Sequence, residues 1–242
     1  RDSAAKSSGM YLLGIICGGA PLKPFLPDFF DSIGITLING YGISECGPLV
    51  SINRPCFHDY ESVGLPLPET EIRIDNPNEN GEGEICVKGR NVMLGYYKNE
   101  AATNEILKNG WLYTGDMAKR DEDGFIYLVD RKKDVIITGG ENLYPVQIED
   151  VLRQNDKIKD VAVIGLPDER LGEIAAAVIE LKPDVTATEE EINQFCLGLP
   201  RYKRPRKIIF ADVPRNPTGK IEKPKLREIY CGVSLVEAQT TR

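Results

Sequence analysis

Short stretches of this chain carry side chains able to work on a nucleotide. Asn39-Gly40-Tyr41-Gly42-Ile43-Ser44-Glu45 follows an apolar run, and its glycines let backbone approach a flat or charged ligand closely. Tyr41 can stack on a purine, Ser44 can reach a phosphate oxygen, and Glu45 can hold magnesium, a hard cation that takes carboxylate and phosphate oxygens together. Tyr113-Thr114-Gly115-Asp116 sets a carboxylate at what reads as a strand end, where it can accept hydrogen bonds from two ribose hydroxyls. Pro214-Arg215-Asn216-Pro217-Thr218-Gly219-Lys220-Ile221 is a rigid-then-flexible loop whose lysine can neutralise a developing phosphate charge. Read singly, each is equally an ordinary glycine-rich loop, a capped turn or a solvated lysine.

The residues from Gly124 to Asp150 tie these stretches together. A strand at Phe125 to Val129 runs into the charged knot Asp130-Arg131-Lys132-Lys133-Asp134, and a second strand at Val135 to Thr138 ends in Gly139-Gly140, with a helix from Pro145. Arg and Lys beside two Asp are ill suited to a core turn. They suit a joint that grips a ligand's hydroxyls and lets two domains move.

Met10 to Cys17 reads as a buried strand ending in Gly18-Gly19-Ala20-Pro21-Leu22. Leu26, Phe29, Phe30 and Ile33 then fall at helical spacing, predicting one buried face. Ile35 to Ile38 is a second strand. Strand, helix and strand with glycines at both strand ends is a piece of a parallel α/β sheet, in which ligands sit beyond the carboxyl ends of the strands. Only two such strands are legible, too few to cover both sheet faces. From Val63 to Val129 short strands alternate with Gly, Asn and Asp turns, predicting a small β-barrel or a distorted sheet. Beyond Arg131 the pattern is a compact α+β unit: a helix burying Ile148, Val151 and Leu152, strands at Val161 to Ile164 and Ile174 to Leu181, and a helix opened by Thr188 and Glu191 at capping-box spacing. That helix is expected to bury Ile192, Phe195, Cys196 and Leu199, and a strand at Lys207 to Phe210 and a helix around Leu226 to Tyr230 follow.

Composition narrows the class. With 41% hydrophobic and 28% charged residues the chain has the make-up of a soluble globular protein. A net charge of -7 argues against nucleic acid or an anionic membrane as partner. No apolar run is long enough for a transmembrane segment. The six cysteines form no CxxC pair and His58 is the single histidine, so a Cys/His zinc site is not expected and a reducing, cytoplasmic location is.

In order, Gly18 to Leu22, Asn39 to Glu45, Gly81 to Arg90, Tyr113 to Asp116, Gly124 to Pro145 and Pro214 to Ile221 resemble the adenylate-forming (AMP-binding) superfamily, which includes acyl-CoA synthetases, peptide-synthetase adenylation domains and firefly-type luciferases. The resemblance runs from about residue 10 to residue 230. It implies ATP, magnesium and CoA as the small molecules handled, with a carboxylic acid attacking the α-phosphorus of ATP to give acyl-AMP and pyrophosphate, and CoA then displacing AMP. The roles it implies are these. Gly19, Ala20 and Pro21 line the adenine site; Asn39, Gly40, Tyr41 and Gly42 hold and stack the base. Ser44 contacts phosphate and Glu45 binds magnesium. Asp116 and Arg131 bind the ribose, with Leu128 beside them. Lys220 bridges the acyl carboxylate and α-phosphate. Lys133 is the hinge, and Gly139, Gly140 and Glu141 line the CoA pantetheine tunnel. Lys203, on a basic run that reads equally as a solvated face, is a candidate for a further CoA contact.

The fold implied is α/β plus α+β. Residues 1–130 form the end of a large AMP-binding domain, with a parallel-sheet remnant at 10–60 and a β-barrel-like part at 61–130. Residues 131–232 form a small, mobile, ferredoxin-like lid, and 233–242 a tail. The superfamily's phosphate-gripping Ser/Thr/Gly loop is not recognisable here, so the expected partner is an N-terminal part of the same enzyme, and the chain alone is expected not to form acyl-adenylate. A homodimer is compatible with this reading. The wording Gly139-Gly140-Glu141-Asn142-Leu143-Tyr144-Pro145 favours the acyl-CoA synthetases over an adenylation domain of a peptide synthetase. A non-catalytic binding module is the reading of a different class, and retention of Glu45, Asp116, Arg131 and Lys220 together speaks against it.

Overall fold

In the computed structural model, which describes residues 14–19, 22, 25–217 and 219–231, strand β1 (Gly14–Cys17) lies parallel to β2 (Thr36–Gly42), with Cys17 opposite Asn39. Helix α1 (Phe25–Ser32) connects them. The sheet then grows by antiparallel addition of β3 (Leu49–Ile52) and β4 (Leu65–Pro66). It therefore has four strands in the order β1-β2-β3-β4, not the two legible in the sequence; β3 and β4 are too short and too broken by Pro and Asn to announce themselves by pattern. The expected buried face of α1 is also corrected. Of the face expected inside, Phe29 is 56% and Ile33 36% exposed while Leu26 and Phe30 are half-buried, and Pro27 is the helix's one buried residue. Helical spacing of apolar residues identifies a face and not what packs on it. Of the strand expected from Met10, residues 10–13 lie outside the described residues.

A second, antiparallel sheet comprises β5 (Thr70–Asp75), β6 (Gly83–Gly89), β8 (Trp111–Arg120) and β7 (Leu107–Lys108), with β9 (Ile126–Arg131) also paired to β8. No strand pairing closes it among the described residues, so it is a curled half-barrel, between the barrel and the distorted sheet that the sequence leaves open. Helix α2 (Glu100–Ile106), capped by Asn99, precedes β7. It buries no residue, which is why no apolar periodicity betrayed it. Val50, Ile72, Ile85, Val87, Leu112 and Ile126 form the core here, and the ring of Tyr41 belongs to it.

The chain divides into two compact units, Arg1–Val129 and Asp130–Arg242. In the second, strands β10 (Ile136–Thr138), β11 (Glu141–Leu143), β12 (Ile158–Asp168) and β13 (Gly172–Leu181) order as β11-β10-β13-β12, and β14 (Lys207–Phe210) runs parallel to β13. Val161 and Val163 pack into one core with Ile148 and Leu152 of helix α3 (Pro145–Leu152) and Ile192 of α4 (Glu189–Phe195). Ala162 and Ile164 pack into another with Leu226 of α5 (Lys223–Cys231). Successive strand residues face opposite sides, and covering both faces explains why β12 and β13 read as unbroken apolar runs. In chain order, β11-α3-β12-β13-α4-β14 alternates as βαββαβ, with β14 beside β13 and β11 joined to the sheet through β10, and α5 is added on the second face. The capping box forms: Thr188 Oγ1 accepts from Glu191 N at 3.2 Å, and Thr188 N donates to Glu191 at 3.1 Å. Phe195, expected inside, is exposed at the end of α4.

Gly64 ties β3 to β9 within the first unit. Its carbonyl accepts from Ile126 N at 3.1 Å, its φ is +83°, and a Cβ there would lie 2.0 Å from the Ile52 carbonyl carbon. Backbone cannot give way as a side chain tip can. Gly64→Ala is expected to cost about 4 kcal/mol, at the extreme of single substitutions. Gly81→Ala, also at positive φ but with no atom within 4 Å of a Cβ, should cost about 1–2 kcal/mol. Urea denaturation of the two variants checks the contrast, and equal losses would refute it.

Candidate nucleotide-binding site

In the first unit, parallel pairing of β1 and β2 brings Gly18-Gly19, at the end of one strand, beside Asn39–Gly42 at the end of the next. Ala20 and Pro21 lie outside the described residues. Asn39 is buried, and its amide donates to the Ser62 carbonyl at 3.0 Å, so its side chain braces the loop from below. After β2 the chain makes a 3-10 turn, Ser44–Cys46, with Cys46 buried, Ser44 exposed and Glu45 between.

Tyr41 joins this loop to the second sheet. Its phenol donates to Asp116 Oδ2 at 2.6 Å across 75 residues of sequence. Burial first, and then the Asp116 charge, push its pKa far up, so it remains a donor. The ring is 6% exposed, and any stacking surface it offers a base is correspondingly small. Asp116 is not at a strand end, as the sequence predicts, but inside β8. There Glu84 pairs with Met117 and Cys86 with Tyr113, so Thr114, Gly115 and Asp116 together oppose the single residue Ile85. Gly115, at φ +73°, makes this bulge possible. Thr114 holds it, donating to the Ile85 carbonyl at 2.9 Å and accepting from Asp116 N at 3.1 Å. Bulges of this kind re-aim a side chain beside active sites.

Glu45 has a partner that sequence reasoning missed. Tyr96 donates to its Oε1 at 2.7 Å from 51 residues away. The hydrogen bond to Glu45 raises the Tyr96 pKa. Glu45 has no ion-pair partner among the described residues, and these contain no cluster of His, Cys, Asp or Glu suited to a metal by itself. One carboxylate is the protein share expected for magnesium held mainly by substrate phosphates, so the donor set fits that ion. Leu128 lies exposed on β9.

The remaining candidates sit in the second unit. Arg131 is exposed at its start, with its N–H on Asp130 Oδ1 at 2.7 Å. Lys133 is exposed on a 3-10 turn, Lys132–Asp134. Asp134 beneath it is buried and receives Arg227 of α5 at 2.7 Å. Thr138 pairs with Glu141, leaving Gly139 and Gly140 as the two central residues of the β10–β11 turn, at φ +61° and +88°. Two positive φ angles are what a type I′ hairpin demands, and Gly139 N fixes the tip to the Leu171 carbonyl at 2.8 Å. Lys203 donates to Gln147 Oε1 at 2.7 Å, so its ammonium is already engaged. Lys220 is exposed on a pinned loop: Asn216 N reaches the Lys220 carbonyl at 2.9 Å, Lys220 N reaches Asn216 Oδ1 at 2.9 Å, and Arg215 bonds both Asp160 and the Gly219 carbonyl.

Strand-end glycines, a bulge-borne Asp and a turn-borne Glu are thus assembled in one unit. Residues 2–97 match the model of the AMP-binding enzyme family, and residues 147–220 that of the AMP-binding enzyme C-terminal domain. The chain belongs to this family. Over 221 residues it is 44% identical to a long-chain-fatty-acid–CoA ligase of Escherichia coli O6:H1, covering 87% of this chain and 39% of that protein. It is 39% identical over 223 residues to the long-chain-fatty-acid–CoA ligase FadD13 of Mycobacterium tuberculosis, covering 89% of this chain and 44% of that protein. Among solved structures it resembles the o-succinylbenzoate CoA synthetase of Bacillus subtilis in complex with its acyl-adenylate intermediate, with a TM-score of 0.80 and 33% identity over 88% of this chain and 46% of the other. ATP-bound MatB from Rhodopseudomonas palustris gives a TM-score of 0.79 and 33% identity, covering 89% of this chain and 45% of the other. The chain thus spans about two-fifths of the length of the curated relatives it matches.

Proposed function

We propose that the chain is part of an ATP-dependent acyl-CoA synthetase, which joins a carboxylic acid to AMP with release of pyrophosphate and then passes the acyl group to CoA. The observation that carries this reading is the Tyr41–Asp116 hydrogen bond, which unites the strand-end loop and the bulge into one surface able to meet base, ribose and phosphate. On it, Asp116 accepts from ribose hydroxyls, Ser44 meets phosphate, and Glu45 with the ATP phosphates would hold magnesium, whose charge offsets that of the phosphates. Asn39, whose amide is bonded to the Ser62 carbonyl, fixes the loop that holds the base. Residues 1–130 are read as the end of the large domain and 131–232 as a mobile lid. Arg131 completes the ribose contacts, Lys133 is the pivot, Lys220 serves adenylation, and Gly139-Gly140 serves thioester formation. A lid bearing two differently equipped loops must move for both to share one site.

The names of the relatives favour a long-chain fatty acid over an aryl acid. Among the described residues no helix is long and apolar enough to cross a membrane. The test is acid-dependent ATP–pyrophosphate exchange by the whole protein across a panel of fatty and aryl acids. Exchange supported by long-chain fatty acids is expected, and a folded protein silent with every acid would overturn the proposal.

A further inference from the structure

A single carboxylate that must serve a cation needs a fixed orientation, and the loop between β6 and α2 supplies one. Tyr96 Oη donates to Glu45 Oε1 at 2.7 Å, and Met93 N donates to the Glu45 carbonyl at 2.8 Å. Glu45 is therefore held through both its backbone and its side chain by one segment. That segment is itself anchored at both ends. Asn91 Nδ2 donates to the Leu49 carbonyl of β3 at 2.9 Å. Tyr96 N donates to Thr103 Oγ1 of α2 at 2.9 Å, and Thr103 Oγ1 donates to the Asn99 carbonyl at 2.8 Å. The choice of donor matters. A lysine or arginine would neutralise the carboxylate and compete with a metal, whereas a phenol occupies one oxygen and leaves the charge. Tyr97, next in sequence, makes no such contact with Glu45; it is 88% exposed beside Lys98.

We propose that Tyr96 is a positioning residue for magnesium binding, holding one oxygen of Glu45 so that the other is kept for the ion. The inference rests on the function proposed above. Groups that orient a metal ligand from behind are commonly worth tenfold or more in metal affinity. The readout is the factor by which magnesium strengthens ATP binding to the whole protein, from calorimetric titrations with ATP in magnesium and with ATP in EDTA. Tyr96→Phe is expected to lower that factor about tenfold while leaving metal-free ATP affinity and melting temperature unchanged. Tyr97→Phe should change neither, and Glu45→Gln should abolish the factor. If Glu45→Gln abolishes it and Tyr96→Phe leaves it intact, this inference is overturned and the function stands. If Glu45→Gln also leaves it intact, the magnesium role of Glu45 falls first.

Discussion

Lys220→Ala is expected to stop acid-dependent pyrophosphate release by the whole protein while largely sparing thioester formation from preformed acyl-adenylate. The loop around Lys220 is built to present an ammonium. Arg215 and Ile221 form a bridge, Glu222 N donates to the Pro214 carbonyl at 2.8 Å, and Asn216 bonds Lys220 backbone in both directions. Arg215, fixed to Asp160 of β12, stiffens the base of the loop. The Lys220 side chain itself is exposed and makes no ion pair among the described residues. Neutralising charge that develops on the α-phosphate is a transition-state interaction, and removing one such preorganised group costs about 3 kcal/mol or more, a hundredfold or more in rate. Alanine leaves the backbone pins in place, so the second half-reaction, assigned to the Gly139-Gly140 turn, keeps its apparatus. Rapid-quench measurement of each half-reaction decides the matter, and equal loss in both would remove Lys220 from its assigned role.

Local chemistry was legible in the sequence wherever it is local in the fold. The Thr188/Glu191 capping box and β14 at Lys207–Phe210 follow from neighbours a few residues apart. The Gly139-Gly140 turn follows from the left-handed backbone that a tight hairpin requires. Partnerships were not legible. Tyr41 with Asp116 and Tyr96 with Glu45 are side-chain hydrogen bonds closed over 75 and 51 residues, and no spacing rule reaches that far. The bulge around Gly115 reads as a strand end in the sequence because a glycine at positive φ interrupts alternation in a continuing strand just as it does at a terminus. Helix α1 shows the converse limit, since its apolar residues specify a face without specifying a cover.

Glu149→Ala should be the most destabilising change in the second unit outside its apolar core. Glu149, 3% exposed on α3, receives three donors. Lys223 of α5 reaches Oε1 at 2.8 Å, Val163 N of β12 reaches the same oxygen at 2.8 Å, and Arg153 reaches Oε2 at 3.2 Å. Lys223 is itself 9% exposed. Removing the carboxylate takes the direct partner from a buried ammonium, leaving it only the charge of nearby Asp130, and orphans a buried N–H, at a cost of about 3–5 kcal/mol. Lys223→Met is milder, about 1–3 kcal/mol, because Glu149 keeps Arg153 and Val163 while methionine fills the volume. The double variant should lose less than the two single losses combined, since the stranded ammonium is gone. Urea midpoints of the three proteins test this, and additive losses would show that the pair is not coupled. The same helix links structure to activity. Lys223 fixes the first turn of α5 to α3, and Arg227, one turn on, fixes it to Asp134 beneath Lys133. The lysine loop and the proposed pivot thus hang from one helix, so Glu149→Ala should weaken Lys220-dependent adenylation as well as stability, and Lys223→Met, with the Arg227–Asp134 tie intact, should weaken it less.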